Sequence, residues 1–410
     1  MQKRKIRFIT ILLLFLAFTL KTTYATKRTP MSCKAELKNI VNSNNSFALK
    51  LYTEISTKRK ENVFISPFNV TQALALAFAG ARGKTESEML TALNFYLPQK
   101  NFHRDLSCLI RTLKKANRDS STLRIATALW LQRNFEILKT YASLVENFYG
   151  NILFQVDFSS SPEKARETIN KWVEKQTAGK IKELLTKGDV SYLTRLIITT
   201  AIYFRGLWKL KFDRNNTKED KFFIAAEKTI RVPMMYQKNK FGYFENKKVQ
   251  CLELPYSGDE LSMIILLPRQ INGILSIEKD LSLDSLNKCI VNIHKREVKV
   301  YIPRFEMEER YELVPVLSDM GMITAFKKEA NFSGITGKRD LYISNVIHQA
   351  FIKVDEEGTE ATATTGVSFK VTSMVPGKIP VFKADHPFIF FILHRKTGAI
   401  LFIGRIHSPL

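Results

Sequence analysis

The 410-residue chain lacks the punctuation that marks non-globular proteins. Only 17 Gly and 13 Pro exclude a collagen-like repeat and long flexible linkers, and 45% hydrophobic content excludes a disordered chain. Cysteines are few: Cys33, Cys108, Cys251 and Cys289 cannot make a disulfide scaffold, and no C-x-x-C spacing prepares a structural zinc site. One bridge is expected in an oxidising compartment, where four cysteines allow three connectivities. Acids are scarce too, 39 against 63 Lys plus Arg, a formal charge of +24. That balance opens the chain to polyanions such as nucleic acid, heparin-like glycans or anionic membrane.

Catalytic signatures are also missing. No G-x-S-x-G elbow and no H-E-x-x-H occurs, and His103, His294, His348, His386, His394 and His407 fall in no ligand-like spacing. Gly80-Ala81-Arg82-Gly83-Lys84-Thr85 lacks the first glycine of a phosphate loop, Phe78 standing in its place, and reads as a turn between helices. A spatially assembled triad leaves no local trace, but an enzyme has no positive support. No metal and no cofactor are expected.

What is present begins with a leader. Lys3, Arg4, Lys5 and Arg7 precede an apolar run from Phe8 to Leu20, and Thr23-Tyr24-Ala25 places small residues at the cleavage positions. Thirteen apolar residues are too few to span a bilayer, so Met1–Ala25 reads as a signal peptide and no membrane partner is expected. It carries five cations and no acid, so its removal takes the charge from +24 to +19. Secretion would suit the sequons at Asn44, Asn69, Asn215 and Asn331.

From Lys27 to Leu410 no composition break or repeat appears, which favours one domain over residues 26–410. Ser46–Ser56 and Thr71–Ala79 have helical spacing, Ser66-Pro67 is a helix start, Thr85 with Glu88 resembles a capping box, and Pro162–Leu185 reads as one or two helices. Strands are expected at Leu123–Leu131, Leu196–Phe204, Cys251–Pro255, Leu261–Leu267, Val298–Ile302, Phe388–Leu393 and Ile400–Ile403. Helices and strands are segregated, which argues for α+β.

Asp355–Ile379 does not fit a core. After Glu356 and Glu357 it runs through small and β-branched residues, with Thr359, Ala361, Ala363 and Thr365 on one strand face. Composition alone suits a solvated loop, while the alternation would also suit a strand.

Asp355-Glu356-Glu357-Gly358-Thr359-Glu360-Ala361 resembles the hinge of inhibitory serpins, and the similarity extends over the whole mature chain. Asn170-Lys171-Trp172-Val173, Ala201–Trp208, Val232–Met235, Leu254-Pro255-Tyr256, Ile302–Phe305 and Asp385–Phe388 resemble further family signatures in the expected order. The resemblance implies a serpin fold of three β-sheets and eight to nine helices, with an exposed reactive-centre loop at about 356–380. It implies a secreted suicide-substrate inhibitor of serine proteases, in which the cleaved loop inserts into the main sheet and traps the acyl-enzyme. A non-inhibitory serpin acting as carrier, storage protein or chaperone is the alternative.

Residue roles follow from the same resemblance. The hinge comprises Glu356, Gly358, Thr359, Ala361, Ala363 and Thr365, and the sheet-opening gate Arg304, Trp208, Ser66, Asn69, Thr200 and His348. Asn69 and Thr200 stand where the family usually has Ser and Asn, so an amide is expected to have changed sides within one polar cluster. A buried Asn69 would leave Asn44, Asn215 and Asn331 as glycosylation candidates. Counting sixteen residues from Glu356 selects Thr372-Ser373 as the reactive bond, with Met374 and Lys370 as alternatives. A small β-branched Thr372 favours an elastase-like target. The segment Phe102–Arg118 corresponds to a helix that some serpins use for heparin. Arg104, Arg111, Lys114, Lys115 and Arg118 fall opposite its apolar face and are heparin-binding candidates, with Cys108 expected on the outer side and Cys33 as one possible partner for it. No nucleic-acid partner is expected, and the protein should be a monomer.

Overall fold

The computed structural model describes residues 37–116, 121–359 and 379–410. Outside them lie the leader Met1–Ala25, Cys33, Arg118, the hinge residues Ala361, Ala363 and Thr365, and the bond Thr372-Ser373 with its alternatives Met374 and Lys370. The described residues fall in one compact unit.

In chain order, α1 (Leu37–Ser56) and β1 (Val63–Ile65) lead into α2 (Pro67–Gly80), α3 (Gly83–Ala92), α4 (Gln99–Ala116), β2 (Ser121–Gln132), α5 (Lys139–Phe148), β3 (Leu153–Val156), α6 (Pro162–Gln176) and β4 (Leu196–Leu207). The second half is strand-rich. It holds β5 (Lys218–Ala225), β6 (Lys228–Glu245), β7 (Val249–Pro255), β8 (Leu261–Pro268), α7 (Ile274–Lys279), α8 (Leu283–Val291), β9 (His294–Pro303) and β10 (Phe305–Glu312). Then come α9 (Leu313–Asp319), α10 (Ser333–Thr336), β11 (Asn345–Val354), β12 (Gly358–Thr359), β13 (Val381–Lys383), β14 (Phe388–His394) and β15 (Ile400–Ile406). The α+β expectation holds.

Where three sheets were expected, hydrogen bonding joins the described strands into two. One has nine strands, in the order β1-β15-β14-β8-β7-β6-β9-β13 with β5 also on β6; the other has six, β10-β11-β12-β4-β2-β3. The reason is β6: its 18 residues pair in succession with β5, β9 and β7, so one strand fuses two groups. Ten α-helices are described, against eight or nine expected, because α7, α9 and α10 are short pieces of 6, 7 and 4 residues.

The core explains the placement of α2. It packs on β15 of one sheet and on β2 and β4 of the other, so all 14 of its residues are buried. A helix surrounded on every side must be apolar all round, and Val70-Thr71-Gln72-Ala73-Leu74-Ala75-Leu76-Ala77-Phe78 nearly is. On the outer face of the six-stranded sheet, Ala165, Ile169 and Val173 of α6 meet Ala126 and Ala128 of β2, Ala201 of β4 and Ile347 of β11.

Two local readings are corrected. Of the one or two helices expected over Pro162–Leu185 only one forms, and it stops at Gln176, because Ala178 and Gly179 turn to φ +54° and +77°. Thr85 and Glu88 form no capping box: α3 begins at Gly83, two residues earlier. Their side chains instead hold a distant loop, Thr85 accepting from Asn331 N–H at 2.9 Å and Glu88 from Thr324 N–H at 2.6 Å.

Candidate functional site

The six-stranded sheet has a seam. β11 and β4 run parallel and pair directly from Asn345 with Ile197 to Phe351 with Tyr203. Beyond that point they part, and a different strand fills the gap. The chain leaves β11 at Val354, reverses through Asp355-Glu356-Glu357, and returns as β12, antiparallel to both neighbours. Asp355 N–H donates to the Gly358 carbonyl at 2.8 Å, and the Asp355 carboxylate accepts from the N–H groups of Glu357 and Gly358 at 3.0 and 3.3 Å. An aspartate that bonds backbone two residues on is a standard way to fix such a turn.

Gly358 has φ +151°, and a Cβ there would lie 2.0 Å from the Gly206 carbonyl oxygen. Only glycine fits this close approach. Thr359 beside it is 0% exposed, paired with Gly206, and its hydroxyl bonds the Tyr256 hydroxyl at 2.9 Å. The first inward-facing hinge residue therefore already lies within the sheet.

The expected acid–base pair is formed. Arg304 meets the Glu356 carboxylate through Nε at 2.7 and 2.9 Å and Nη2 at 2.5 Å, and Thr217 donates to it at 2.5 Å. Glu356 is 1% exposed while the Arg304 side chain is 41% exposed, so the pair is buried on one side only. Burial works to raise the Glu356 carboxyl, but the hydrogen bonds from Arg304 and Thr217 outweigh it and hold it below the usual carboxylate range. Trp208 closes the turn from the other side. Its indole N–H donates to the Asp355 carbonyl at 2.9 Å, its backbone N–H to the Glu357 carbonyl at 2.9 Å, and its ring stacks on Tyr256 with centroids 4.7 Å apart. Lys211 pairs with Glu357 at 2.6 Å.

Beneath the seam lies a buried polar cluster. Ser66 caps α2, its Oγ accepting from Asn69 N–H at 3.3 Å and donating to the Leu401 carbonyl at 2.8 Å. Ser66 N–H donates to His348 Nε2 at 3.0 Å, so the imidazole proton sits on Nδ1, which faces Thr200 Oγ1 at 2.5 Å. Burial pushes the His348 pKa down to about 3, so the ring is neutral. Asn69 lies in the same cluster, but its Oδ1 accepts from Thr127 rather than from Thr200. Among the described residues its buried Nδ2 has no hydrogen-bond partner, nor have Thr71 Oγ1 and Gln72 Nε2 of the same helix.

Several candidates fare differently. Asn44, taken as a glycosylation site, is 1% exposed inside α1, with its amide on the Ile400 carbonyl, and no folded chain can present it. Asn215 is exposed and Asn331 half-buried. The basic stripe of α4 is interrupted. Arg111, Lys114 and Lys115 are exposed, but Arg104 is half-buried with its Nε on Asp105 at 2.8 Å. Cys108, expected outside, is 5% exposed, because the surface from Asp105 to Ile110 is buried on every side. Cys108 is disulfide-bonded, while Cys251 and Cys289 are free.

Sequence reasoning missed Tyr256, Thr217 and Thr127. Tyr256 carried a signal, since Leu254-Pro255-Tyr256 stands out as a motif; the hydroxyls of Thr217 and Thr127 had none.

Comparison with known proteins bears on this arrangement directly. A family profile described as Serpin (serine protease inhibitor) matches residues 42–409. Leukocyte elastase inhibitor of Bos taurus is 41% identical over 376 residues, which are 90% of this chain and 98% of that protein. Among solved structures, uncleaved ovalbumin superposes with a TM-score of 0.82 at 31% identity, covering 90% of this chain and all of that one (100%). Human thyroxine-binding globulin, solved with thyroxine, gives 0.83 at 28% identity, over 92% of this chain and 100% of that one. The chain belongs to the serpin family. It has the family's α+β fold and is of the protease-inhibitor class, not an enzyme. Among the described residues, no helix is long and apolar enough to cross a membrane.

Proposed function

We propose that this serpin is a secreted suicide-substrate inhibitor of serine proteases, with an elastase-like target. The observation that carries the reading is Gly358-Thr359 lying as the first two residues of a strand at a parted seam. A protease serine would attack the Thr372 carbonyl, form an ester and release Ser373 as a free amine. The freed segment would extend β12 down the seam, antiparallel to β11 and β4. Each residue that enters would replace one parallel contact by two antiparallel ones. At roughly 1 kcal/mol net per hydrogen bond, about a dozen new bonds supply on the order of 10 kcal/mol. The small Ala361, Ala363 and Thr365 suit an inward face, and the 41% identity to a leukocyte elastase inhibitor supports the target class. Secretion rests on the Met1–Ala25 leader, and Asn215 and Asn331 are the glycan acceptors that fit the structure. With the α4 stripe interrupted, no heparin-like partner is proposed.

The test is incubation with elastase, chymotrypsin and trypsin, followed by denaturing electrophoresis and sequencing of the released fragment. A covalent band at the summed mass is expected with elastase, and the fragment should begin at Ser373. A start at Val375 or Val371 would move the attacked residue to Met374 or Lys370 and change the target class. Thr359→Arg should abolish the band while cleavage continues, because an unpaired cation cannot stay buried at the head of the strand that the freed segment must extend. Cleavage without a band in the parent would favour the carrier reading, to which similarity to thyroxine-binding globulin also points.

A further inference from the structure

The nine-stranded sheet carries a thiol pair that plays no part in the seam. Cys251 lies on β7, opposite Phe244 of β6 and Leu266 of β8, and is fully buried. Helix α8 covers this face, anchored by the buried Leu286, and brings Cys289 over it. Both cysteines are free, and Cys289 stands on the cavity wall with Phe244 and Leu266, the two residues opposite Cys251 in the sheet. Beside them opens a cavity of about 390 Å³, walled by Phe244, Leu266, Ile277 and Leu281 and flanked by Lys248 and Lys288. Cys289 lines this cavity and is half-buried; Cys251 does not line it.

We propose that Cys289 is a thiol-modification site: a low-molecular-weight disulfide enters the cavity, reacts with Cys289, and is resolved by Cys251 into an internal Cys251–Cys289 bridge. In the first step the Cys289 thiolate attacks one sulfur of the reagent. A new S–S bond forms, the reagent's own S–S bond breaks, and one small thiol leaves after taking up the proton Cys289 has lost. In the second step Cys251 loses its proton and its sulfur attacks the Cys289 sulfur, displacing the second small thiol. Two cysteine thiols are oxidised and one disulfide reagent is reduced to two thiols.

The order of events follows from the environment. The neighbouring Cys251 holds the Cys289 thiol below its usual value, while Cys289 and burial push Cys251 up. The thiolate is the attacking species, so the half-buried Cys289 reacts first and the enclosed Cys251 only resolves. Because Cys289 stands beside Phe244 and Leu266, the cross-strand neighbours of Cys251, resolution needs no large movement of chain. The bridge would tie α8 to the middle of the sheet, independently of whether the loop inhibits a protease.

The experiment treats the full chain, folded and with its Cys108 disulfide intact, with oxidised glutathione. It is quenched with acid at intervals, and the products are read by intact mass and peptide mapping. The parent should lose the mass of two hydrogens and yield one cross-linked peptide joining Cys251 and Cys289. Cys251→Ser should stop at a single glutathionyl adduct on Cys289, and Cys289→Ser should gain nothing. Modification of Cys251 in the Cys289→Ser variant, or a parent that forms neither adduct nor bridge, would overturn the assignment. If a serine variant fails to fold, early time points of the parent decide: an adduct mapped to Cys289 supports the order, and one mapped to Cys251 overturns it.

Discussion

The hairpin β14–β15 and the seam β11–β4 are both central, buried strand pairs, yet their faces are filled differently. Every residue of β14 and β15 is buried, and their middle is apolar: Phe390 lies over Gly404 and sits 5.8 Å from the Phe64 ring and 5.6 Å from the Phe305 ring. Along the seam, Ile347 and His348 face Thr199 and Thr200 in parallel register. In the helix beneath, Asn69 Nδ2, Thr71 Oγ1 and Gln72 Nε2 find no partner among the described residues. Antiparallel pairing with interlocked rings is costly to part, because contact area and packing are lost together. A parallel pairing held over a polar cluster is weaker per residue and its hydrogen bonds can be remade with another strand. One pair is made to hold, the other to yield.

Truncation should reveal the contrast most strongly. Phe390→Ala should destabilise the fold by about 3–5 kcal/mol, the usual cost of an emptied aromatic site, measured as a shift of the denaturant midpoint. A cost below about 1 kcal/mol would mean that the hairpin repacks as readily as the seam, and the contrast fails.

Acid should act on the seam next. The buried His348 has its pKa depressed to about 3, against about 6.5 for an unfolded chain. Between these values the unfolded state binds the extra proton, so stability falls as pH falls. From pH 7 to pH 5 the loss from this one residue is about 2 kcal/mol. His348→Gln should therefore lose about 2 kcal/mol less than the parent over that interval, read from unfolding curves at the two pH values. Equal losses would show that His348 is not what weakens the seam in acid.

The smallest effect belongs to the hinge pair. Glu356→Gln removes the charge facing Arg304, but the exposed guanidinium is screened by solvent, and the expected loss is below about 1 kcal/mol. The depressed Glu356 carboxyl stabilises the fold above the ordinary carboxylate range, and that contribution vanishes as pH falls through its lower folded value. Thermal midpoints at pH 7 and pH 3 should differ less in Glu356→Gln than in the parent. A larger difference in the variant would place the pair's contribution elsewhere.

Legibility in the sequence followed the same division. Cys251–Pro255, Leu261–Leu267, Phe388–Leu393 and Ile400–Ile403 were readable as strands because each is a short, nearly continuous apolar run, and all four are strands. β6 was not, since Lys228, Arg231, Gln237, Lys238 and Lys240 break any apolar pattern over its 18 residues. The stretch after α6 was read as further helix: Ile181, Leu184 and Leu185 continue the apolar content but pack beside α6 as returning loop, with Asn170 bonding the Leu185 N–H at 2.9 Å and its carbonyl at 2.8 Å. The pair of Glu356 and Arg304, far apart in sequence, obeys no local spacing rule and came only from family resemblance. Helical angles placed Cys108 outside because they count only one helix, and burial depends on what else covers it.

Gly358 and Gly206 meet where the seam divides. A Cβ on Gly358 would strike the Gly206 carbonyl, and one on Gly206 would lie 2.7 Å from both the Phe204 and Tyr256 rings. Glycine is the only amino acid without a Cβ, so every missense change in either codon inserts an atom where none fits. Most positions of a folded chain accept some of their possible replacements; these two should accept none. In a population carrying this gene, variants at the two codons should therefore act alike whatever residue they encode, through the methyl-sized core that all replacements share. Severity would track position rather than chemistry.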